Sequence, residues 1–178
     1  MATVTGLTID DFEQLPDALA HNHELVDGEL VDVSGNIGSH NRLRDALVEL
    51  LRPYVRSHQL GMIVSEQEFQ FDENAHGPDV SFLNSDKAKR FDGRLRVQRF
   101  VPDLAIEIAS QSERFEALIN KVLHYRGCGV KEVFIFSESR QVFVYSEHPT
   151  VVLTESQDFR PEQIPGFSIR IADLFAMI

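Results

Sequence analysis

An α/β fold with a mixed central sheet flanked by helices, preceded by an N-terminal β-hairpin, is predicted by three features of the sequence. Two short β-type runs flank Asp27-Gly28; an apolar run at 104–109 is followed by an amphipathic stretch and a second apolar run; and a further alternating run follows a polar turn. The 178 residues, 43% hydrophobic and 25% charged, suit one globular domain spanning 1–178 that needs no disulfide to hold its core. No repeat, low-complexity tract or linker divides the chain.

Thr8 is placed to cap a short helix over Ile9–Leu15 that ends before Pro16. His23–Val26 and Glu29–Val33 read as strands, and Asp27-Gly28 accepts the positive φ angles of a two-residue type I′ turn. Ser39 is expected to cap a helix whose Leu43, Leu47, Leu50, Leu51 and Tyr54 recur at helical spacing, with Pro53 kinking or ending it. Residues 62–71 alternate loosely, turn formers occupy 72–77, and 80–83 is apolar, which reads as a second hairpin. Leu104–Ala109 is apolar on both faces except at Glu107, as for a central strand covered on both sides. Phe115, Leu118, Val122 and Tyr125 then mark one helical face, Gly127 and Gly129 stop the helix, and Val133–Phe136 forms another strand. This βαβ unit implies parallel pairing with a right-handed crossover. Gln141–Tyr145 would return antiparallel through the Ser137–Arg140 turn, and 171–178 would close the fold as a helix.

The single cysteine, Cys128, cannot form an internal disulfide, and its neighbours Gly127, Gly129 and Val130 offer no metal-ligand pattern. The opening residues lack the basic and apolar blocks of a signal peptide, and no apolar run reaches membrane-spanning length. A cytoplasmic protein without membrane contact is therefore expected. The formal charge of −11 repels a phosphate backbone at long range, but residues 86–99 hold Lys87, Lys89, Arg90, Arg94, Arg96 and Arg99 against only Asp86 and Asp92. That segment is either a basic contact surface or a solvated loop.

Asp79 follows Pro78 at the start of a strand, and Glu107 lies in the strand expected beside it. Two buried carboxylates repel one another and lose hydration, so they must be protonated, paired with cations or bound to metal. Magnesium suits them, because it takes one or two carboxylates and keeps its other positions for water and phosphate oxygens. Lys121, fourteen residues after Glu107, falls on the following helix near its sheet-facing stripe, where an ammonium could orient an attacking water and stabilise charge on phosphorus. Each residue also has a plainer reading: Asp79 as a turn stabiliser, Glu107 in an ion pair with an arginine, Lys121 as an exposed helix former. The seven histidines show no zinc-site spacing, and there is no glycine-rich phosphate loop or Gly-x-Ser-x-Gly elbow.

Pro78-Asp79, Glu107 in its apolar strand, and Lys121-Val-Leu-His-Tyr125 with Gly129-Val130 together resemble the Uma2 family of proposed restriction endonucleases, in the PD-(D/E)XK nuclease superfamily. The likeness extends to Glu24-Leu-Val-Asp-Gly-Glu29 as the family's hairpin, His40 as its helix-start histidine, and Pro165-Gly-Phe167 through Phe175 as its C-terminal closure. The resemblance implies a restriction-endonuclease-like core, a Mg²⁺-dependent DNA endonuclease with Mn²⁺ as a substitute, and homodimers. Asp79 and Glu107 would hold the metal, Lys121 would assist the water, and Glu24 would hold a water or a second metal. One position departs from the superfamily pattern: Ala109 stands where a lysine two residues after the glutamate is expected, so Lys121 would be a migrated lysine. The alternative is a catalytically inactive nucleic-acid-binding or oligomerising protein on the same scaffold.

Overall fold

The computed structural model describes residues 6–33, 38–109 and 115–178. Helix α1 (Ile9–Glu13) opens with a reciprocal cap in which Thr8 and Asp11 satisfy each other's backbone N–H groups. A short α2 (Asp17–Ala20) leads into the hairpin of β1 (His23–Val26) and β2 (Glu29–Asp32). Asp27 and Gly28 have φ of 50° and 78°, the expected type I′ geometry. A Cβ at Gly28 would lie 3.1 Å from Gly6 Cα, so the turn also needs glycine for close approach.

Helix α3 (Gly38–Ser57) buries Leu43, Leu47, Leu51 and Val55 along one face. The Ser39 cap fails here, and of the two outcomes expected at Pro53 the ending does not occur. Ser39 lies inside the first helical turn rather than at the cap, and Pro53 neither ends the helix nor stops its next turn, since His58 N–H still donates to the Tyr54 carbonyl. A proline removes one donor, and the apolar stripe on both sides of it keeps the helix packed.

The expected second hairpin resolves into four strands: β3 (Gly61–Ser65), β4 (Glu68–Phe71), β5 (Asn74–His76) and β6 (Val80–Asn84). Only β4 and β5 form a hairpin, across the Asp72-Glu73 turn, whereas β3 pairs with β6 in another sheet. Asp72 takes a φ of 52°, which tightens the turn to two residues and lets 74–76 pair as strand. Helix α4 (Ser85–Arg90) follows, capped by the Asn84 side chain, and β7 (Val97–Gln98) pairs parallel with β4.

Strand β8 (Leu104–Ile108), helix α5 (Phe115–Gly127) and β9 (Glu132–Phe136) form the βαβ unit, and β8 and β9 pair in parallel. β10 (Val142–Tyr145) returns antiparallel to β9, as expected, and β11 (Val151–Leu153) follows at the edge. The chain closes with the pair β12 (Asp158–Phe159) and β13 (Ile169–Arg170), then α6 (Ile171–Phe175).

The central sheet is mixed, in the order β11-β10-β9-β8-β6-β3, and a second sheet runs β2-β1-β5-β4-β7. Alternation along the central strands divides the core. Leu104, Ile106, Phe134 and Phe136 pack with α3 and α6 on one face, and Ala105, Val133 and Ile135 pack with α5 and β4 on the other. Glu107 shares the parity of Ala105, so the strand period that buries the core also directs this carboxylate toward α5 and the second sheet.

Candidate active site

The β6–β8 register pairs Val80 with Ile106, so Asp79, one residue before β6, falls opposite Glu107. Both are buried, as is Glu24 on β1. Asp79 Oδ2 accepts the Ile108 backbone N–H at 2.7 Å, and Oδ1 lies 3.2 Å from His40 Nε2. Glu107 Oε1 accepts the Tyr125 hydroxyl at 2.8 Å and lies 3.3 Å from Lys121 Nζ. Lys121 Nζ also donates to Glu24 Oε1 at 2.9 Å. Glu24 in turn accepts the Gly77 N–H at 3.0 Å, and its Oε2 lies 2.8 Å from His76 Nδ1. Four residues singled out from sequence, Glu24, Asp79, Glu107 and Lys121, thus meet in one constellation.

Each arrives by a separate piece of local structure. The hairpin places Glu24; the register of adjacent strands faces Asp79 to Glu107; and helical spacing puts Lys121 and Tyr125, four apart, on the same side of α5. Tyr125 is clamped by Phe71, stacked at 4.2 Å and 15° between ring planes. His76 and Tyr125 are site neighbours that sequence reasoning missed. Tyr125 was legible as the helical neighbour of Lys121, whereas nothing around His76 distinguishes it before the β4–β5 hairpin is built. His40, singled out only as a helix-start histidine, contacts Asp79.

The charges do not balance. For Glu24, burial alone would raise the carboxyl pKa, but the Lys121 charge and the His76 hydrogen bond outweigh it and hold it at about 2. Glu107 is pushed up to about 8 by burial, against the pull of Lys121 and reinforced by the nearby charges of Asp79 and Glu24. One ammonium cannot serve every acid around it. Burial disfavours the His40 imidazolium, yet the hydrogen bond and charge of Asp79 prevail and raise its pKa.

The constellation forms one wall of a cleft of about 1170 Å³ between the hairpin and α5. Among the described residues, eight that line the cleft are acidic and, histidines aside, only Arg96 and Lys121 are basic, so these groups attract cations and repel a bare phosphate. A hard divalent cation fits this donor set. The ligating groups are carboxylate oxygens, each retaining lone pairs beyond its present bond, and among the described residues Glu107 Oε2 has no hydrogen-bond partner. Asp79 and Glu107 would be the holding pair, with Glu24 beside them.

Most cations of the 86–99 segment are paired with carboxylates of this chain, three of them from outside the segment. Lys87 pairs with Asp103, Lys89 with Asp86, Arg94 with Asp92, Arg96 with Asp17 and Arg99 with Asp10, while Arg90 lies over the Phe100 ring. No helix among the described residues is long and apolar enough to cross a membrane.

The sequence pattern of the Uma2 family, described as "putative restriction endonuclease", matches residues 9–172. A solved structure described as a putative nuclease belonging to DUF820 from Anabaena variabilis ATCC 29413 superposes with a TM-score of 0.85 at 21% identity, covering 97% of this chain and 99% of that one. Among curated proteins none matches. The family pattern spans nearly all of the fold, including every residue of the carboxylate–lysine constellation, and the chain belongs to the Uma2 family.

Proposed function

We propose that the protein is a Mg²⁺-dependent DNA endonuclease, with Mn²⁺ as a working substitute, and that Asp79 and Glu107 hold the metal while Lys121 assists the attacking water. The observation that carries this reading is the meeting of Glu24, Asp79, Glu107 and Lys121 in one acidic cleft. The bound metal would supply phosphate neutralisation and Lewis-acid activation.

The protein's own groups have distinct tasks. The Ile108 N–H and His40 fix both oxygens of Asp79, so that carboxylate is preorganised. The Tyr125 hydroxyl orients Glu107. Lys121 sits between Glu24 and Glu107, where its ammonium can hold a water by hydrogen bond and stabilise the charge that builds on the phosphoryl oxygens. Its place near Glu107 supports the migrated-lysine reading, because helix α5 delivers to the cleft the cation that Ala109 lacks. Glu24 holds that ammonium in place. The reading extends to DNA as partner and to a homodimer. The exposed Lys89 and Arg94 side chains of the 86–99 segment are available to exchange their carboxylate partners for phosphates.

The test is incubation of purified protein with supercoiled and branched DNA in Mg²⁺ or Mn²⁺, beside Glu107→Ala and Lys121→Ala. Cleavage by the wild type alone is expected. No cleavage in either metal, or cleavage that survives Glu107→Ala, rejects the reading; DNA binding without turnover favours the inactive-scaffold alternative.

A further inference from the structure

At the C-terminal end of α5, where His124 lies one helical turn beyond Lys121 and still lines the cleft, the chain's single thiol meets an imidazole and a carboxylate. Cys128 Sγ lies 3.2 Å from Asp72 Oδ2 and 3.8 Å from His124 Nε2. One ligating atom from each of the three residues lies within 4.8 Å of the other two. Two independent elements produce this cluster. His124 and Cys128 stand one helical turn apart, and the Cys128 N–H donates to the His124 carbonyl at 2.9 Å, so the turn continues past Gly127. Asp72 comes from the β4–β5 turn, which the stacking of Phe71 on Tyr125 holds against the helix.

These separations suit a tetrahedral ion. Bonds of about 2.3 Å to sulfur and about 2.0–2.2 Å to nitrogen and oxygen imply ligand-to-ligand edges of roughly 3.5 Å, between the two Cys128 distances, and the carboxylate and imidazole lie within 4.8 Å of each other. Without a cation, burial and the neighbouring Asp72 carboxylate push the Cys128 thiol up to about 11, so it serves as a weak hydrogen-bond donor. A divalent ion reverses that relation, because it deprotonates the thiol and attracts both groups. His124 is half-buried and Asp72 exposed, which leaves an open side for a water as fourth ligand.

We propose that Asp72, His124 and Cys128 form a second metal site, selective for a zinc-class ion, that clips the end of α5 to the β4–β5 hairpin. Thiolate and imidazole donors separate it chemically from the carboxylate set of Asp79, Glu107 and Glu24, whose oxygens suit magnesium. The clip has a structural consequence for that cleft. Lys121 lies one turn before His124 on the same helix, and the clipped hairpin carries His76, which contacts Glu24. The ion would fix both walls relative to one another, whether or not the cleft is a nuclease site.

The experiment is a Co²⁺ titration of the reduced 178-residue chain, in which a thiolate-to-cobalt absorption band can arise only from Cys128. One equivalent should develop the band, and one equivalent of Zn²⁺ should bleach it. Cys128→Ser should abolish it, and Glu107→Gln should leave it intact. Loss even of an outer partner weakens metal sites by about 10–100-fold, so His124→Ala and the exposed Asp72→Ala should each weaken binding at least about tenfold. Zn²⁺ should also raise the melting temperature of wild type and Glu107→Gln but not of Cys128→Ser. Absence of the band in excess Co²⁺, equal affinity in Asp72→Ala, or equal Zn²⁺ stabilisation of Cys128→Ser overturns the proposal.

Discussion

Strand β8 has a buried acid at each end, and the two are treated in opposite ways. Asp103, just before the strand, accepts the Asn84 N–H at 2.9 Å and the Asn84 side-chain amide at 3.2 Å, and lies 3.1 Å from Lys87 Nζ and 3.4 Å from Lys131 Nζ. Two cations and an amide surround one carboxylate. Four residues on, Glu107 shares Lys121 with Glu24 and faces Asp79 across the register, so several carboxylates surround one ammonium. The first arrangement is complete as a fold element, whereas the second, among the described residues, leaves negative charge that a further cation or a proton would relieve. Burial alone therefore does not mark a functional acid. The local balance of charge does, and it differs sharply over five residues of one strand.

The contrast breaks most visibly at Glu107. Glu107→Gln should lower metal-dependent DNA cleavage by about 10²–10³-fold or more, as loss of a preorganised electrostatic group does, while leaving the fold intact. Its titration gives an independent check. Because the folded carboxyl is raised from 4.5 to about 8, it binds more protons folded than unfolded, so its stabilising contribution is present below pH 4.5 and is lost as pH rises through about 8. Urea unfolding of metal-free protein across pH 4.5–8 should show this loss, and Glu107→Gln should reduce it. Glu68 and Glu132, raised to about 8 and about 7, contribute the same sign and remain in the variant.

Lys121→Ala should reduce cleavage by about 10²-fold yet preserve Mn²⁺ binding, which separates loss of the lysine from loss of metal. Asp103→Ala should show the reverse pattern: a stability loss of about 2 kcal/mol, since the partly buried Asn84 N–H and amide lose their acceptor, and no fall in cleavage per folded molecule. Chemical denaturation paired with the cleavage assay reads both. Smallest of all, Lys89→Ala removes a surface pair with Asp86 in which both side chains are well exposed, and its melting temperature should match the wild type.

Much of this was legible in the sequence because it depends on period and turn chemistry. Asp27-Gly28, the apolar strand around Glu107, and the βαβ unit need only local rules, and the alternation along β8 already assigns Glu107 to one face. Lys121 was legible as reach, since the helical stripe of Leu118 and Tyr125 brings it toward the sheet. What escaped depends on pairings between distant segments. The split of 61–84 between two sheets, with β3 on β6 and β4 on β5, is a tertiary choice that a loose alternation does not encode. His76 follows from that choice, as does the approach of Asp72 to Cys128, which no spacing around a lone cysteine reveals. Helix α3 continues through Pro53 for a related reason, because packing of Leu51 and Val55 outweighs the local cost of proline.

The most direct test of the account is the binding of Mn²⁺ to the metal-free protein, measured by titration calorimetry in wild type, Glu107→Gln and Asp103→Asn. Binding by wild type and Asp103→Asn, with strong loss in Glu107→Gln, is the predicted result. Equal binding by wild type and Glu107→Gln, or no binding by the wild type, would contradict the claim that the uncompensated carboxylates of the cleft are built for a cation.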